Sequence, residues 1–241
     1  MRFIALLFVA SLLASCMYAR EGLKVAAQAD SHATRPDRVD ATPARISTLR
    51  VPTGLSVDVF ARDLKGARML ASLADGTVLL TRPEEGDVHA LHDADGDGVA
   101  ERRVRALSGL EGVHGVTVHE GKVYLATPTR LLVSEPQADG ALGEPRDLAE
   151  LPEGGRHPHR TLGVSPDGRL HVSIGSTCNA CAEENPEHAA MLRFALDGSA
   201  RELFATGLRN TIGYDWHPDT NVLWGMDHGS DHRGDDVHRR S

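Results

Sequence analysis

Cysteine is scarce in this chain of 241 residues: it has three, Cys16, Cys178 and Cys181. No second cysteine pair stands near Cys178-Asn-Ala-Cys181, so a zinc site lacks its further ligands; His188 alone does not supply them. Ala182 follows the second cysteine where a c-type haem attachment would need histidine. Positive charge is also short. Lys and Arg number 26 against 34 Asp and Glu, the formal net charge is -8, and no basic stripe is visible, which argues against a nucleic-acid partner. No P-loop, dinucleotide fingerprint or Ser-His-Asp arrangement occurs, which argues against NAD chemistry. Long helical periods are absent after the first residues. What remains, 41% hydrophobic and 25% charged residues, fits one soluble globular domain and not a disordered chain.

The N-terminus reads as a targeting segment. Arg2 supplies a positive start, and Phe3 to Ala14 is an apolar run too short for a typical membrane span but suited to a signal peptide. Leu13-Ala14-Ser15-Cys16 matches a bacterial lipobox, in which the Cys16 thiol takes a diacylglyceryl group. The expectation is a lipoprotein signal over 1–15, export to the periplasm and a lipid anchor on the cell envelope. A plain signal peptide cut near Ala19 is the alternative. Residues 16–49 are polar, mixed and aperiodic, as in a flexible linker. With Cys16 lipidated, Cys178 and Cys181 are the remaining pair, and an oxidising compartment favours a local disulfide between them.

From residue 50 to 241 the chain repeats. Four units each place a short apolar strand, a tight turn and a second apolar strand, with turns at Asp75-Gly76, Glu120-Gly121, Asp167-Gly168 and Asp219 to Asn221. Outer hairpins turn at Asp97-Gly98, Asp139-Gly140 and Asp197-Gly198. The period of roughly 45 to 50 residues is that of four-stranded propeller blades, so the predicted fold is an all-β propeller with about four blades. Within it, Asp93-Ala-Asp-Gly-Asp-Gly-Val-Ala-Glu101 has carboxylates spaced like the start of an EF-hand loop, but Val104 stands at the twelfth position and no helices flank it. A tight acidic turn is the favoured reading and a weak calcium loop the alternative. His89, His119 and His171 alternate with apolar residues and are expected to line blade surfaces.

The stretch Gly207-Leu-Arg-Asn210 runs into two short strands and ends in Met226-Asp-His-Gly-Ser230. An arginine at a strand entrance offers a rigid fork that suits a ligand carboxylate. This segment resembles the quinoprotein glucose/sorbosone dehydrogenases, soluble sugar dehydrogenases that use pyrroloquinoline quinone (PQQ). The L-sorbosone dehydrogenase branch looks nearest. The resemblance covers roughly 52–236 and implies a six-bladed propeller. After Asp236 the chain departs as Val237-His-Arg-Arg-Ser241, where that branch has a proline-rich acidic segment, so an incomplete propeller and a truncated chain are expected.

The resemblance also implies roles. His159, with His157 as a near alternative, matches the general base that takes a proton from the sugar hydroxyl. Asp235-Asp236 match an acidic pair, one member of which orients that histidine. Arg209 and Asn210 match the pair against PQQ, and His228 and Gly229 belong to the same cofactor loop. The carbonyls of Gly229 and Ser230 match those that hold Ca²⁺. That branch usually has Asn where His228 stands and Arg where Ser230 stands. The cysteine loop, Gly175 to Cys181, matches one expected to be structural. The implied activity is oxidation of an aldose or related sugar aldehyde by hydride transfer to PQQ, with electrons passed to an external acceptor. The alternatives are a non-catalytic propeller binding module and a calcium-dependent lactonase.

Overall fold

Asp-Gly and Glu-Gly turns between alternating apolar residues yield a fold that, among the described residues, is almost entirely β. The computed structural model describes residues 39–230 and the backbone of 236–239. The predicted signal peptide, Cys16, most of the linker and Asp235 therefore lie outside the described residues, as does the side chain of Asp236. One short helix, α1 (Pro43–Ile46), sits at the end of the expected linker, with Thr42 as its N-cap and Pro43 opening its first turn.

The first sheet holds β1 (Leu70–Ser72), β2 (Val78–Arg82), β3 (Asp87–His92) and β4 (Arg102–Leu107). The second holds β5 (Gly115–His119), β6 (Lys122–Ala126), β7 (Arg130–Ser134) and β8 (Arg146–Glu150). The third holds β9 (Leu162–Val164), β10 (Leu170–Ile174), β11 (Ala190–Phe194) and β12 (Glu202–Thr206). The fourth, with three strands among the described residues, holds β13 (Thr211–Trp216), β14 (Leu223–Asp227) and β15 (Asp236–Arg239). Within each sheet the strands follow sequence order, and each pair is antiparallel, as in β2 with β3 or β10 with β11. These are propeller blades. Their first strands begin at residues 70, 115, 162 and 211, which gives the predicted period. Each predicted turn falls between strands. At the tightest, His119 pairs with Lys122 across Glu120 (φ 48°) and Gly121 (φ 73°), the two left-handed residues that a two-residue hairpin needs.

Neighbouring blades meet through β1 on β5, β5 on β9, and β10 on β13. One apolar seam, with Leu79, Val88, Val113, Val123, Leu125 and Leu132 at its centre, joins blades one and two. A second, around Leu131, Leu162, Leu170, Val172, Leu192 and Phe194, joins blades two and three. Each such fully buried side chain contributes about 1.5–3 kcal/mol. The seam between blades three and four is different. Tyr214 and Trp216 pack over Gly163, and the Tyr214 hydroxyl meets the carbonyls of Thr161 (3.1 Å) and His171 (2.7 Å). His171, expected at a blade surface, is buried here against Trp216 and Phe204, and His89 is buried beside the Asp87 carboxylate.

Candidate active site

The inner strands all begin at one end of their blades, and each is preceded within two residues by a polar side chain: Arg68, His114, Arg160 and the pair Arg209-Asn210. Blades two and three approach closely there because residue 115 is glycine. A Cβ on Gly115 would sit 2.7 Å from the Arg160 carbonyl oxygen. That same oxygen lies 3.0 Å from His114 Nδ1, which therefore carries the proton and donates it. His114 is fully buried, and its Nε2 has no hydrogen-bond partner. Burial pushes its pKa down to about 4, so the ring is neutral. His159 stacks on it, with centroids 4.6 Å apart and planes 12° from parallel. The pKa of His159 is lowered as well, by burial first and then by the positive charges of Arg68 and Arg160.

Arg160 is the largest fully buried side chain in the described residues. Its Nε donates to the Pro128 carbonyl (3.1 Å), Nη1 to the His157 carbonyl (3.0 Å) and Nη2 to the Pro152 carbonyl (2.9 Å). One guanidinium thus ties the loop that carries both candidate histidines to the end of blade two. Burial lowers its pKa to about 10, which still leaves it charged.

His157 turns the other way, toward blade four. Its backbone runs beside 176–177: Arg156 N–H donates to Thr177 O (3.0 Å) and His157 N–H to Ser176 O (3.3 Å). The ring Nδ1 lies 2.9 Å from Ser176 Oγ and 3.1 Å from Ser176 O. Because the Ser176 hydroxyl donates to Cys178 O (2.7 Å), Nδ1 is the protonated nitrogen and Nε2 the basic one. Gly175 makes this fit. A Cβ there would stand 2.4 Å from the His157 Cβ and 3.3 Å from Asn210 Oδ1. His157 and Asn210 therefore face each other across a glycine.

Asp227 fixes the arginine–asparagine pair. Its buried carboxylate accepts the N–H of Arg209 (2.9 Å), the N–H of Asn210 (2.8 Å) and the hydroxyl of Thr211 (2.8 Å). His228 N–H then donates to Asn210 O (3.1 Å). The Arg209 fork donates to His228 O through Nη1 (3.1 Å), to Asn179 O through Nε (2.7 Å) and to Asn179 Oδ1 through Nη2 (2.7 Å). Asn179 sits inside the loop closed by the Cys178–Cys181 disulfide. A cleft of about 300 Å³ opens behind this loop, lined by Leu208, Thr211, Tyr214 and Asp227. The larger cleft, about 680 Å³, lies at the turn end of blades three and four, with Asp167, His171, Arg193, Phe204 and Trp216 on its walls. There Arg193 pairs with Glu202 and Asp167 with Ser165, whereas the strand-entrance end gathers both candidate histidines with Arg160 and Arg209 and is the better candidate.

The structure thus brings Arg209, Asn210, His228 and His157 together, with Gly229 and Ser230 next in the chain. His159 goes to the His114 side. Asp236 begins β15 opposite Asp227 in the backbone register. Asp227, His114, Arg160 and Asn179 were given no role from sequence. Aligning the four repeats at their strand entrances would have flagged His114 and Arg160, which occupy the place of Arg209-Asn210. Elsewhere, ligand oxygens of Asp93, Asp95, Asp97 and Glu101 in the β3–β4 turn all lie within 4.8 Å of one another, and the carboxylates of Asp93 and Glu101 cap amides of the turn. Among the described residues no helix is long and apolar enough to cross a membrane.

A family model described as TrAA12-like matches residues 49–240. A protein of uncharacterised function from Borreliella burgdorferi is 26% identical over 206 residues, covering 79% of this chain and 52% of its own length. The holo form of the pyranose dehydrogenase PQQ domain from Coprinopsis cinerea superposes with a TM-score of 0.66 at 18% identity, over 76% of this chain and 48% of that one. The calcium structure of a Trichoderma reesei carbohydrate-active enzyme of family AA12 superposes with a TM-score of 0.61 at 18% identity, over 75% of this chain and 53% of that one. The chain spans about half the length of each of these proteins.

Proposed function

This chain belongs to the TrAA12-like family, and on that premise we propose that it is a quinoprotein sugar dehydrogenase that oxidises an aldose or related sugar aldehyde, with PQQ and Ca²⁺ as cofactors and an external electron acceptor. The observation that carries the reading is the Asp227 anchor: one buried carboxylate holds the Arg209-Asn210 backbone beside His157. The ligands named for the fungal relatives agree with it, since one is a PQQ domain and another a calcium structure.

PQQ is a flat anion with three carboxylates, and the strand-entrance end suits its charge. The positive charges of Arg68 and Arg160 that push down the His159 pKa would equally attract an anion. The Arg209 guanidinium, held in place by Asn179 and His228, would attract a carboxylate by its charge, and Asn210 would lie against the ring. For calcium the support is the oxygen chemistry of the Gly229 and Ser230 carbonyls; among the described residues no carboxylate cluster converges on that loop. When bound, PQQ supplies the hydride acceptor and calcium polarises it. The protein's own part is proton transfer and orientation. His157 Nε2, made basic by the Nδ1 bond to Ser176, takes the sugar hydroxyl proton. His159, stacked on His114, shapes the neighbouring wall.

The test is to add PQQ and Ca²⁺ to the purified chain, then an aldose and a redox dye. Bleaching of the dye supports the reading. Lactone opening without dye reduction would favour a lactonase, and neither would favour a binding module. His157→Ala is expected to lower kcat about a hundredfold or more, and His159→Ala distinctly less; the reverse order would return the base to His159.

We also propose that export and a lipid anchor at Cys16 place the protein on the cell envelope. Labelling with a radioactive fatty acid should mark the wild-type chain and not Cys16→Ser.

A further inference from the structure

We propose that Asn179 is a positioning residue for Arg209, and that the Cys178–Cys181 disulfide, by holding Asn179, sets the affinity of the site for its anionic ligand. The inference rests on the proposed role of Arg209 in binding the quinone.

The disulfide closes a four-residue loop with Asn179 as its second residue. From that loop Asn179 presents two oxygens to one guanidinium, its carbonyl to Nε and its Oδ1 to Nη2, both at 2.7 Å. Two parallel bonds from one residue fix both the position and the plane of the fork, which a single contact would not. The loop is itself anchored on both sides. Ser176 N–H donates to Arg209 O (2.7 Å), and Ser176 Oγ donates to Cys178 O (2.7 Å). Glu183 accepts from the Thr177 N–H (2.9 Å) and hydroxyl (2.7 Å). Ser176 is also the residue that holds His157 Nδ1. The disulfide loop, the arginine and the candidate base therefore form one hydrogen-bonded unit. Opening the S–S bond restores rotational freedom to the residues between the cysteines, and a fork held by a mobile residue binds its ligand less tightly.

Reduction by a dithiol reagent is balanced: it transfers two electrons and two protons, converts the disulfide to two thiols and leaves as its own disulfide. The first measurement needs no cofactor. Exchange of the Arg209 Nη2–H with water, followed by ¹⁵N NMR, is expected to accelerate about tenfold or more on reduction and in Asn179→Ala, the loss of the charge-assisted hydrogen bond to Asn179 Oδ1, while amides of β10 and β11 stay protected. Unchanged exchange in both would overturn the proposal. The second measurement is titration with PQQ, read by tryptophan fluorescence. The oxidised protein should bind about tenfold more tightly than the reduced protein, Cys178→Ser/Cys181→Ser or Asn179→Ala. Asn179→Asp, which keeps an acceptor oxygen, should recover most of the loss. Equal affinity across these forms, with Arg209→Ala weakened, would overturn the inference alone. Equal affinity for Arg209→Ala and wild type would remove the quinone-binding role of Arg209, and the exchange measurement would still decide the coupling.

Discussion

Arg160 and Asp227 are each a buried charge whose partners are mostly backbone groups of a loop. A buried guanidinium is costly unless its donors are satisfied, and Arg160 meets three carbonyls from two loops. Arg160→Met leaves those carbonyls unpaired and should destabilise the fold by about 3 kcal/mol or more, seen as a lower urea midpoint. Arg160→Lys should recover little, because one ammonium cannot span all three carbonyls. Asp227→Ala removes the acceptor of three donors and should cost about 2–4 kcal/mol and abolish PQQ binding; Asp227→Asn, which cannot accept them all, should fall between. The buried histidines give a pH signature. His114 and His171 are each held near a pKa of about 4 by burial, whereas the unfolded chain titrates them near 6.5. Below 6.5 the unfolded state binds more protons, so stability falls as pH drops from 6.5 to about 4, by up to about 3 kcal/mol for each histidine. Urea midpoints measured across that range should decline, and His171→Asn should flatten the slope. A flat profile for the wild-type protein would contradict the neutral, buried assignment.

At the scale of elements, what the sequence makes legible is local. The hairpins could be placed because Asp-Gly and Glu-Gly turns sit between alternating residues, and the chemistry of a turn depends on neighbours only. Arg209-Asn210 could be singled out because the pair is contiguous and opens a strand. The missed residues act across distance in the chain: Asp227 reaches back 17 and 18 residues, and His114 bonds a carbonyl 46 residues away. No local pattern encodes such pairings. We prefer His157 to His159, two residues apart, because His157 is the one that faces Gly175. Gly175 also explains a constraint invisible in sequence, since it sits at the end of β10 where a small residue is forced by its neighbour. Gly175→Ala would drive a methyl into His157. It is expected to lower kcat at least about tenfold through a displaced base, with a stability loss of about 1–3 kcal/mol, separable by comparing turnover with the thermal midpoint.

Across the whole molecule, the blades divide the work. The seams between blades one, two and three are apolar and set the stability. The third and fourth blades meet through Tyr214, Trp216, His171 and the Asp227-held loop, where polar groups are hydrogen-bonded. The same period that builds the blades returns a polar side chain to each strand entrance, and so collects Arg68, His114, Arg160 and Arg209 at one end of the β-sheets. The account stands on that end being a quinone site. The most direct measurement is a crystal structure of the chain grown with PQQ and Ca²⁺. It should show the quinone with a carboxylate on the Arg209 fork, its ring against Asn210 and His157 within hydrogen-bond reach of the substrate side. Density for the quinone in the cleft of His171 and Trp216, or none at the Arg209 end under saturating PQQ, would contradict it.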